Sequence, residues 1–546
     1  MTFATPAAAS TSIDCESATS RVVQALPLVA VRGTTTRLSP VGIVTDDVPA
    51  VDIVVPVDWP ESWRSVAFRR SNGGAAALVM VPVVDVADAV ESEPNNLPEV
   101  AQVVEHQSIS GRFDEPGDID CYAIELAEGA ALQLAGVTRS AGLSTDLRLR
   151  LLGPDGKQVA DIDDTGTDEG VLTFTAKLAG RHVLEVSEVF GAGGSSQGYR
   201  LERVLPDTAV DLQTDADTIL VPPRGTAAIS LQVVRRRYNG ELELTVTGLP
   251  EGLRSETVIA GAGMKRAAIT IRSERDEPIR LTGIRIVGTP VAPVEDWTTF
   301  ASNTSLLNGR LNQPPVVPLA LRDSIAVASA EPVPLTLTAE PALLTLGPAL
   351  STQFQLKAVR GEGLDEAVTF TAYPAQEALP AEVTLDLQPI AKGSDEVAIK
   401  LSATEKAALG RYSIVLQGTL KQGDRTVTTF SPVLNFQLQP ALSATVTTEV
   451  AEVQRGGELP LQLTLNRNPS LTAAVLVAGK EPPAGVTLAD ATVPGDQTAA
   501  ALTLKVGPEF TGGMLEGLKL VLRAEGNDKV QIEVAIPPVK VLDAAE

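Results

Sequence analysis

The chain has 546 residues, with 44 Lys and Arg against 68 Asp and Glu, for a formal net charge of −24. So acidic a surface repels phosphate backbones, which excludes nucleic acid as a partner and suits a soluble protein that meets cations. With 44% hydrophobic and 21% charged residues it can build real cores, which excludes wholesale disorder; at roughly 150 residues per domain, three to five domains are expected.

Val, Leu, Ala and Thr carry the apolar content, and 44 Gly and 38 Pro stand against 11 Phe, 5 Tyr and 3 Trp. That balance favours strands and turns over helices. Residues 1–20 are small and polar and read as a disordered lead-in. They lack the basic and apolar regions of a signal peptide, so the chain is expected either to be cytosolic or to have its true start elsewhere. Residues 21–90 alternate short β-rich runs with turns. The runs are V-V-Q-A-L-P-L-V-A-V, V-D-I-V-V-P-V and A-A-L-V-M-V-P-V-V, and the turns include Gly33, Pro49 and the N-G-G at Asn72. This predicts a small sandwich. The longest apolar run, 75–90, is broken by Pro82, Asp85 and Asp88, so no transmembrane segment is expected.

After the acidic linker A-D-A-V-E-S-E-P-N-N-L-P, residues 100–204, within a domain expected at 91–205, show the clearest period-two alternation. It runs through C-Y-A-I-E-L, A-L-Q-L-A-G-V, L-R-L-R-L-L, L-T-F-T-A, H-V-L-E-V and Y-R-L-E-R-V. Turns at G-P-D-G (Gly153) and in the glycine-rich stretch Gly191 to Gly198 separate the runs, which predicts an antiparallel sandwich. The remainder repeats itself. Leu231 opens L-Q-V-V-R-R-R-Y-N-G, Phe354 opens F-Q-L-K-A-V-R-G-E-G, and Leu461 opens L-Q-L-T-L-N-R-N-P-S. Each is a strand and a polar turn, followed by a further strand and a Pro/Gly corner. Offsets on the order of 105 to 125 residues match an immunoglobulin-like sandwich. Three Ig-like domains are therefore expected at 206–330, 331–440 and 441–546. Their short proline-flanked joins near Ala330 and Pro440 predict a semi-rigid string. The fold class is all-β, in tandem β-sandwiches.

The ordered series from Glu91 to Val204 resembles the bacterial pre-peptidase C-terminal (PPC) domain. It comprises E-S-E-P-N-N-L-P-E-V-A-Q, I-S-G-R-F, P-G-D-I-D-C-Y-A-I-E-L, T-D-L-R-L-R-L-L-G-P-D-G-K-Q-V-A-D-I-D-D, L-A-G-R-H-V-L-E-V and G-Y-R-L. The resemblance implies a jelly-roll-like sandwich. The repeats after it look like the Ig-like modules that accompany this domain in large secreted bacterial proteins, and residues 21–90 look like an IPT/TIG-type sandwich. It also implies an extracellular or cell-envelope setting, with the signal peptide missing from this chain.

Some members of that family, the collagen-binding domains of clostridial collagenases among them, bind calcium where the opening segment meets the first strands. The matching positions are Glu91, Glu93, Asn95 and Asn96, with Asp118 and Asp120 from the G-D-I-D turn. The chemistry is sound without the resemblance, because calcium wants six to eight hard oxygens and four carboxylates with two amide carbonyls approach that set. The plainer alternative is a solvated linker with turn charges. Asp161, Asp163 and Asp164 form a weaker second acidic group.

The other motifs point to architecture. Cys15 and Cys121 lie far apart with no C-x-x-C, so the choice is between one disulfide in an exported chain and two partly buried thiols. His106 and His182 are the only histidines. G-S-S-Q-G around Ser196 matches a nucleophile elbow in letters only, since no helix is expected after it. R-R-R at Arg235 reads as a strand-end face making ion pairs, and Trp59 and Trp63 read as packing residues. N-T-S at Asn303 is a formal glycosylation sequon. The resulting expectation is a non-catalytic secreted or cell-surface protein for adhesion, spacing or binding of an extracellular protein or polysaccharide ligand. The rival from another class is the accessory region of a secreted peptidase or other hydrolase whose catalytic domain lies outside this chain.

Overall fold

The strand Glu458–Arg467 shows how these sequences fold. Leu459, Leu461, Leu463 and Leu465 are buried, while Glu458, Pro460, Gln462 and Thr464 face water. Successive side chains on a strand point to opposite faces, so this alternation leaves one apolar face to cover. The same logic recurs throughout the chain, and the fold is an all-β series of sandwiches. The computed structural model describes residues 21–43, 46–59, 63–105, 107–163, 169–204, 210–291, 297–310 and 316–543. The lead-in 1–20 with Cys15, as well as His106 and Asp164, lies outside them.

The chain divides into two compact units. The first holds the described residues up to 204 together with those of 303–324, and the second holds the rest. In the first unit, one sandwich pairs two three-stranded sheets. Arg21–Leu26, Thr35–Ile43 and Val51–Val54 form one sheet, and Ala30–Val31, Ala75–Val84 and Trp63–Arg69 form the other. Leu38, Val55, Val66, Phe68 and Val81 fill the space between them. Trp59 packs against that core, with the Arg64 guanidinium 4.4 Å from its ring centre.

The next sandwich has two five-stranded sheets. In one the order is Gln158–Ile162, Leu147–Leu152, Gly180–Glu188, Ile119–Leu126, Gln102–Val103. In the other it is Val171–Thr175, Ala131–Val137, Gly198–Val204, Ile109–Arg112, Ala89–Val90. Its core includes Ile109, Phe113, Tyr122, Leu149, Leu184 and Tyr199.

Residues 303–324 depart from the sequence reading, which places them inside the third sandwich. They carry two short helices, Thr304–Arg310 and Leu319–Arg322, and belong to the first unit. Asn303 is fully buried, and its side-chain amide donates to the carbonyls of Leu321 (3.2 Å) and Ser324 (2.7 Å). The formal sequon is thus a buried structural turn.

The second unit contains the three repeats, which share cores rather than meeting as separate beads. Val415 and Val433 complete the core of the first repeat, and Met264 sits in the core of the next. Arg411 donates through its backbone N–H and Nε to Glu241 at 2.7 and 2.9 Å. Between the second and third repeats the Gly347 N–H donates to Ser470 Oγ (3.2 Å), and Asn527 Nδ2 to the Ala349 carbonyl (2.8 Å).

One side chain marks the repeat more sharply than the apolar pattern does. Arg235 ends the strand Thr226–Arg235 and donates to the carbonyls of Met264, Gly240 and Gly261 at 2.8, 2.6 and 2.7 Å. Arg467, at the end of Glu458–Arg467, donates to Gln497, Ala473, Val493 and Pro494 carbonyls at 2.8–2.9 Å. Arg360 ends Ser351–Arg360 and donates to the Ser394 carbonyl. A planar guanidinium can serve several carbonyls that the sheet ladder leaves over, which a point-charge ammonium cannot. Arg467→Met is therefore expected to destabilise the last sandwich by about 2–4 kcal/mol, with Arg467→Lys recovering less than half of the loss. The check is the urea midpoint of the second unit's transition at unchanged m-value. A midpoint equal to wild type would remove the capping role.

Candidate metal centre

The acidic segment is not a free linker. Val90 ends a short strand running parallel to Ile109–Arg112; the Glu91 N–H donates to the Ser110 carbonyl (2.9 Å), and the Arg112 N–H donates back to the Glu91 carboxylate. Gln102 clamps the same stretch from the other side. Its Oε1 accepts the Ser92 N–H (2.8 Å) and its Nε2 donates to the Val90 carbonyl (2.9 Å). The Cys121 N–H donates to the Asn95 carbonyl (3.0 Å), which lays the segment against the start of Ile119–Leu126. Gly117, with φ of 83°, makes the turn before that strand, where a side chain would be strained. Period two then sends Asp118 and Asp120 to one side.

Four of the six sequence-predicted residues meet at one point. One carboxylate oxygen each from Glu91, Glu93, Asp118 and Asp120 lies within 4.8 Å of the others. Asp118 and Asp120 are buried, Asp120 fully. Asn95 is also fully buried. Asn96 is exposed, and its amide donates to Asp118 Oδ1 (2.8 Å), so it orients a carboxylate. The second oxygen of Asp118 accepts the Asp114 N–H (2.7 Å), and Glu93 Oε2 accepts the Asn95 N–H (2.9 Å).

Asp120 is held from behind by two tyrosines that sequence reading did not single out. The Tyr199 hydroxyl donates to Asp120 Oδ2 and lies 2.7 Å from the Tyr122 hydroxyl, both rings being fully buried. Gly111 makes room for them, since a Cβ there would come within 2.4 Å of the Tyr199 oxygen. The signal was in the alternation itself, because a hydroxyl inside an apolar core needs a partner.

What remains is a set of buried polar atoms without partners, three oxygens and one amide nitrogen. Asp120 Oδ1, Glu91 Oε1 and both polar side-chain atoms of Asn95 make no hydrogen bond. Burial, then the charge of Glu91, pushes the Asp120 carboxyl up to about 9. Burial likewise pushes Glu91 up to about 7. With protein groups alone, desolvation and mutual repulsion therefore favour the protonated form of these acids. The donor set is all oxygen, with no imidazole or thiolate, which fits a hard cation such as calcium and not zinc.

The second acidic group is described only at Asp161 and Asp163, Asp164 lying outside the described residues. Asp161 is engaged by Arg148 through two contacts of 2.9 and 2.8 Å. Among the described residues, the Glu91 cluster is the one group of three or more such side chains at ligand spacing. Ser196 lies in the loop joining Gly180–Glu188 in one sheet to Gly198–Val204 in the other, and a strand follows it rather than a helix. His182 is buried against Phe174, ring centres 5.6 Å apart. Cys121 is a free, fully buried thiol that burial pushes up to about 12. Arg236 pairs with Asp211 (2.8 Å), in keeping with the ion-pairing reading of the arginine triplet.

No family model and no curated protein matches the chain. Among solved structures, the Escherichia coli adhesin FdeC aligns at 12% identity over 61% of this chain and 97% of its own, with a TM-score of 0.19. The fibronectin(III)-like modules of Clostridium thermocellum CbhA align at 12% identity over 38% of this chain and 95% of theirs, with a TM-score of 0.15. The N-terminal four Ig domains of Dscam1 isoform 6.9 align at 11% identity over 73% of this chain and 91% of theirs, with a TM-score of 0.25. The assignment as a β-sandwich series rests on the chain's own sheets. Among the described residues, no helix is long and apolar enough to cross a membrane.

Proposed function

We propose that this is a non-catalytic extracellular or cell-surface protein whose sandwiches display and space surfaces for adhesion or for attachment to a protein or polysaccharide ligand. Its second sandwich, of PPC type, is stapled by calcium. One observation carries the calcium assignment: the convergence of four carboxylates on buried oxygens that no protein group satisfies. Glu91, Glu93, Asp118 and Asp120 are the ligands, with the buried, unpartnered side-chain oxygen Oδ1 of Asn95 as a fifth donor. The ion supplies the positive charge that lets Asp120 and Glu91 stay ionised in a desolvated place. The remaining residues set the geometry. Tyr199 commits one Asp120 oxygen and leaves the other free, while Gln102 and Arg112 keep Glu91 in reach. The shared cores of the second unit support a spacing role, since they restrict motion between neighbouring sandwiches.

The test is calorimetric titration of the whole chain with calcium after chelator treatment. One site is expected, with Kd on the order of 10⁻⁴ M, as for extracellular modules. Asp120→Ala should abolish it, and Glu93→Ala, whose carboxylate is exposed, should weaken it by about tenfold. Absence of saturable heat, or wild-type binding by Asp120→Ala, would withdraw the site.

A further inference from the structure

Where the first and second repeats of the second unit meet, the chain leaves an open cleft of about 330 Å³. Its floor is Val433 and Leu434, consecutive residues that enter different cores. Val433 completes the core of the first repeat, and Leu434 belongs to that of the second. The floor is therefore fixed to both sandwiches at once. Ala339, Ala342 and Pro432 form the sides, so the walls are apolar and built from small residues. A cleft of this size at a domain junction, apolar with a few placed polar groups, has the form of a ligand site.

Two polar groups stand in it. Asn435, in the strand Leu434–Leu438, lies directly across from Ser413 in Gly410–Gln422. The buried Ser413 hydroxyl accepts the Ile259 N–H of the first repeat (2.8 Å), so its own proton goes to Asn435 Oδ1 (2.5 Å). That relay sets the orientation of the amide. Asn435 Nδ2 has no partner among the described residues and keeps its two N–H donors for a ligand. Glu256 stands at the exposed rim, and its carboxylate pairs with no cation among the described residues. The cleft thus offers a fixed donor, a lone negative charge and a narrow apolar floor.

From this arrangement we infer that the cleft takes a lysine side chain of an extended protein segment. Lysine lays its aliphatic stem on apolar surface and keeps its ammonium at the edge. Here the stem covers Val433 and Leu434, and the ammonium meets the Glu256 carboxylate. The Asn435 N–H groups then donate to a backbone carbonyl of the same segment. A compact ammonium suits a single exposed carboxylate, whereas an arginine fork is matched by two acceptors in one plane. Among the described residues no aromatic side chain lines the cleft, so a sugar ring finds no face to stack on. A net charge of −24 draws basic partners to the whole chain, and the cleft selects among them. The inference rests on the adhesion reading above and deepens it, by naming a basic protein segment as the ligand.

The experiment titrates the isotopically labelled full chain with an end-blocked pentapeptide carrying one lysine among alanines, and follows amide resonances by NMR. Saturable shifts with Kd on the order of 10⁻³ M are expected. They should be confined to the amides of 256–257, 339–342 and 432–435 and to the Asn435 side chain. Acetylating the peptide's lysine, or Glu256→Gln in the protein, should each weaken binding by about three- to fivefold. Ala342→Phe, at an exposed position, fills the cleft and should abolish the shifts while the second unit's urea midpoint stays at wild type. Shifts spread over other acidic segments and unchanged in Glu256→Gln would mean bulk charge attraction and overturn the site. Tighter binding of a glucosamine disaccharide at the same amides would overturn the peptide assignment in favour of an amino sugar. The adhesion reading is checked alongside, by retention of the chain on arrays of extracellular proteins and polysaccharides. Retention without localised peptide shifts would overturn the lysine cleft and leave that reading standing, whereas retention on no array member would overturn both.

Discussion

Chelating calcium from the full chain is expected to lower the unfolding temperature of the first unit by about 5–10 °C relative to the chain in excess calcium, while the second unit's transition stays in place. A ligand at a hundred times its Kd stabilises by about 2.7 kcal/mol, and a unit of this size gains about 2–4 °C per kcal/mol. Calorimetry with and without EDTA reads the shift directly, and Asp120→Ala should melt alike in both. The pH dependence adds an independent sign. In the cation-free protein Asp120 and Glu91 are acids raised to about 9 and about 7, so the folded unit holds more protons than the unfolded one. Their contribution to stability is complete below the ordinary carboxylate range and is lost as pH rises through about 7 and then about 9. With calcium held, the carboxylates are ionised when folded and stability is lost instead on acidification. Opposite slopes of unfolding temperature against pH in EDTA and in calcium are therefore expected. A flat EDTA series would mean that these carboxylates are hydrated rather than buried together.

Asp88→Ala is expected to cost the first unit about 3–5 kcal/mol, the largest effect of any single substitution outside the ion site. Its carboxylate and the Arg200 guanidinium are 1% and 7% exposed, so removing the acid leaves a buried cation with only the partly exposed Glu202 at 3.4 Å and leaves Ser110 without its acceptor. Replacing both partners by apolar residues, Asp88→Leu with Arg200→Met, should lose much less, because no unpaired charge is then buried. Equilibrium urea unfolding of the three variants checks this. A cost below about 1 kcal/mol for Asp88→Ala would show that water reaches the pair.

The proposed ion ligands and Asp88 show what sequence reading reaches and where it stops. The segment from Ala87 to Pro98 reads as an acidic linker, and its charge suggested a cation. Nothing in its letters separates Asp88, which is buried on Arg200, from Glu91 and Glu93, which converge on Asp118 and Asp120. Gln102, Tyr122 and Tyr199 escaped notice because their roles depend on partners between 10 and 79 positions away. The repeat was legible from its apolar runs. The function of its strand-end arginine was not, because carbonyls left over at the end of a sheet have no signature in side-chain letters. Residues 303–324 were read into the third sandwich because nothing in N-T-S-L-L-N-G-R marks a return to the first unit, where Asn303 is buried.

The sequence by itself determined the all-β class, the strand positions and the placing of acidic residues in the Glu91–Asn96 and Asp118–Asp120 segments. Those properties follow from local alternation, turn residues and composition, which need no knowledge of distant neighbours. Only the tertiary structure decided which charges are paired, which are left buried without partners, and which sandwiches share a core. Those outcomes depend on desolvation, a property of the space that several strands enclose together rather than of any one segment.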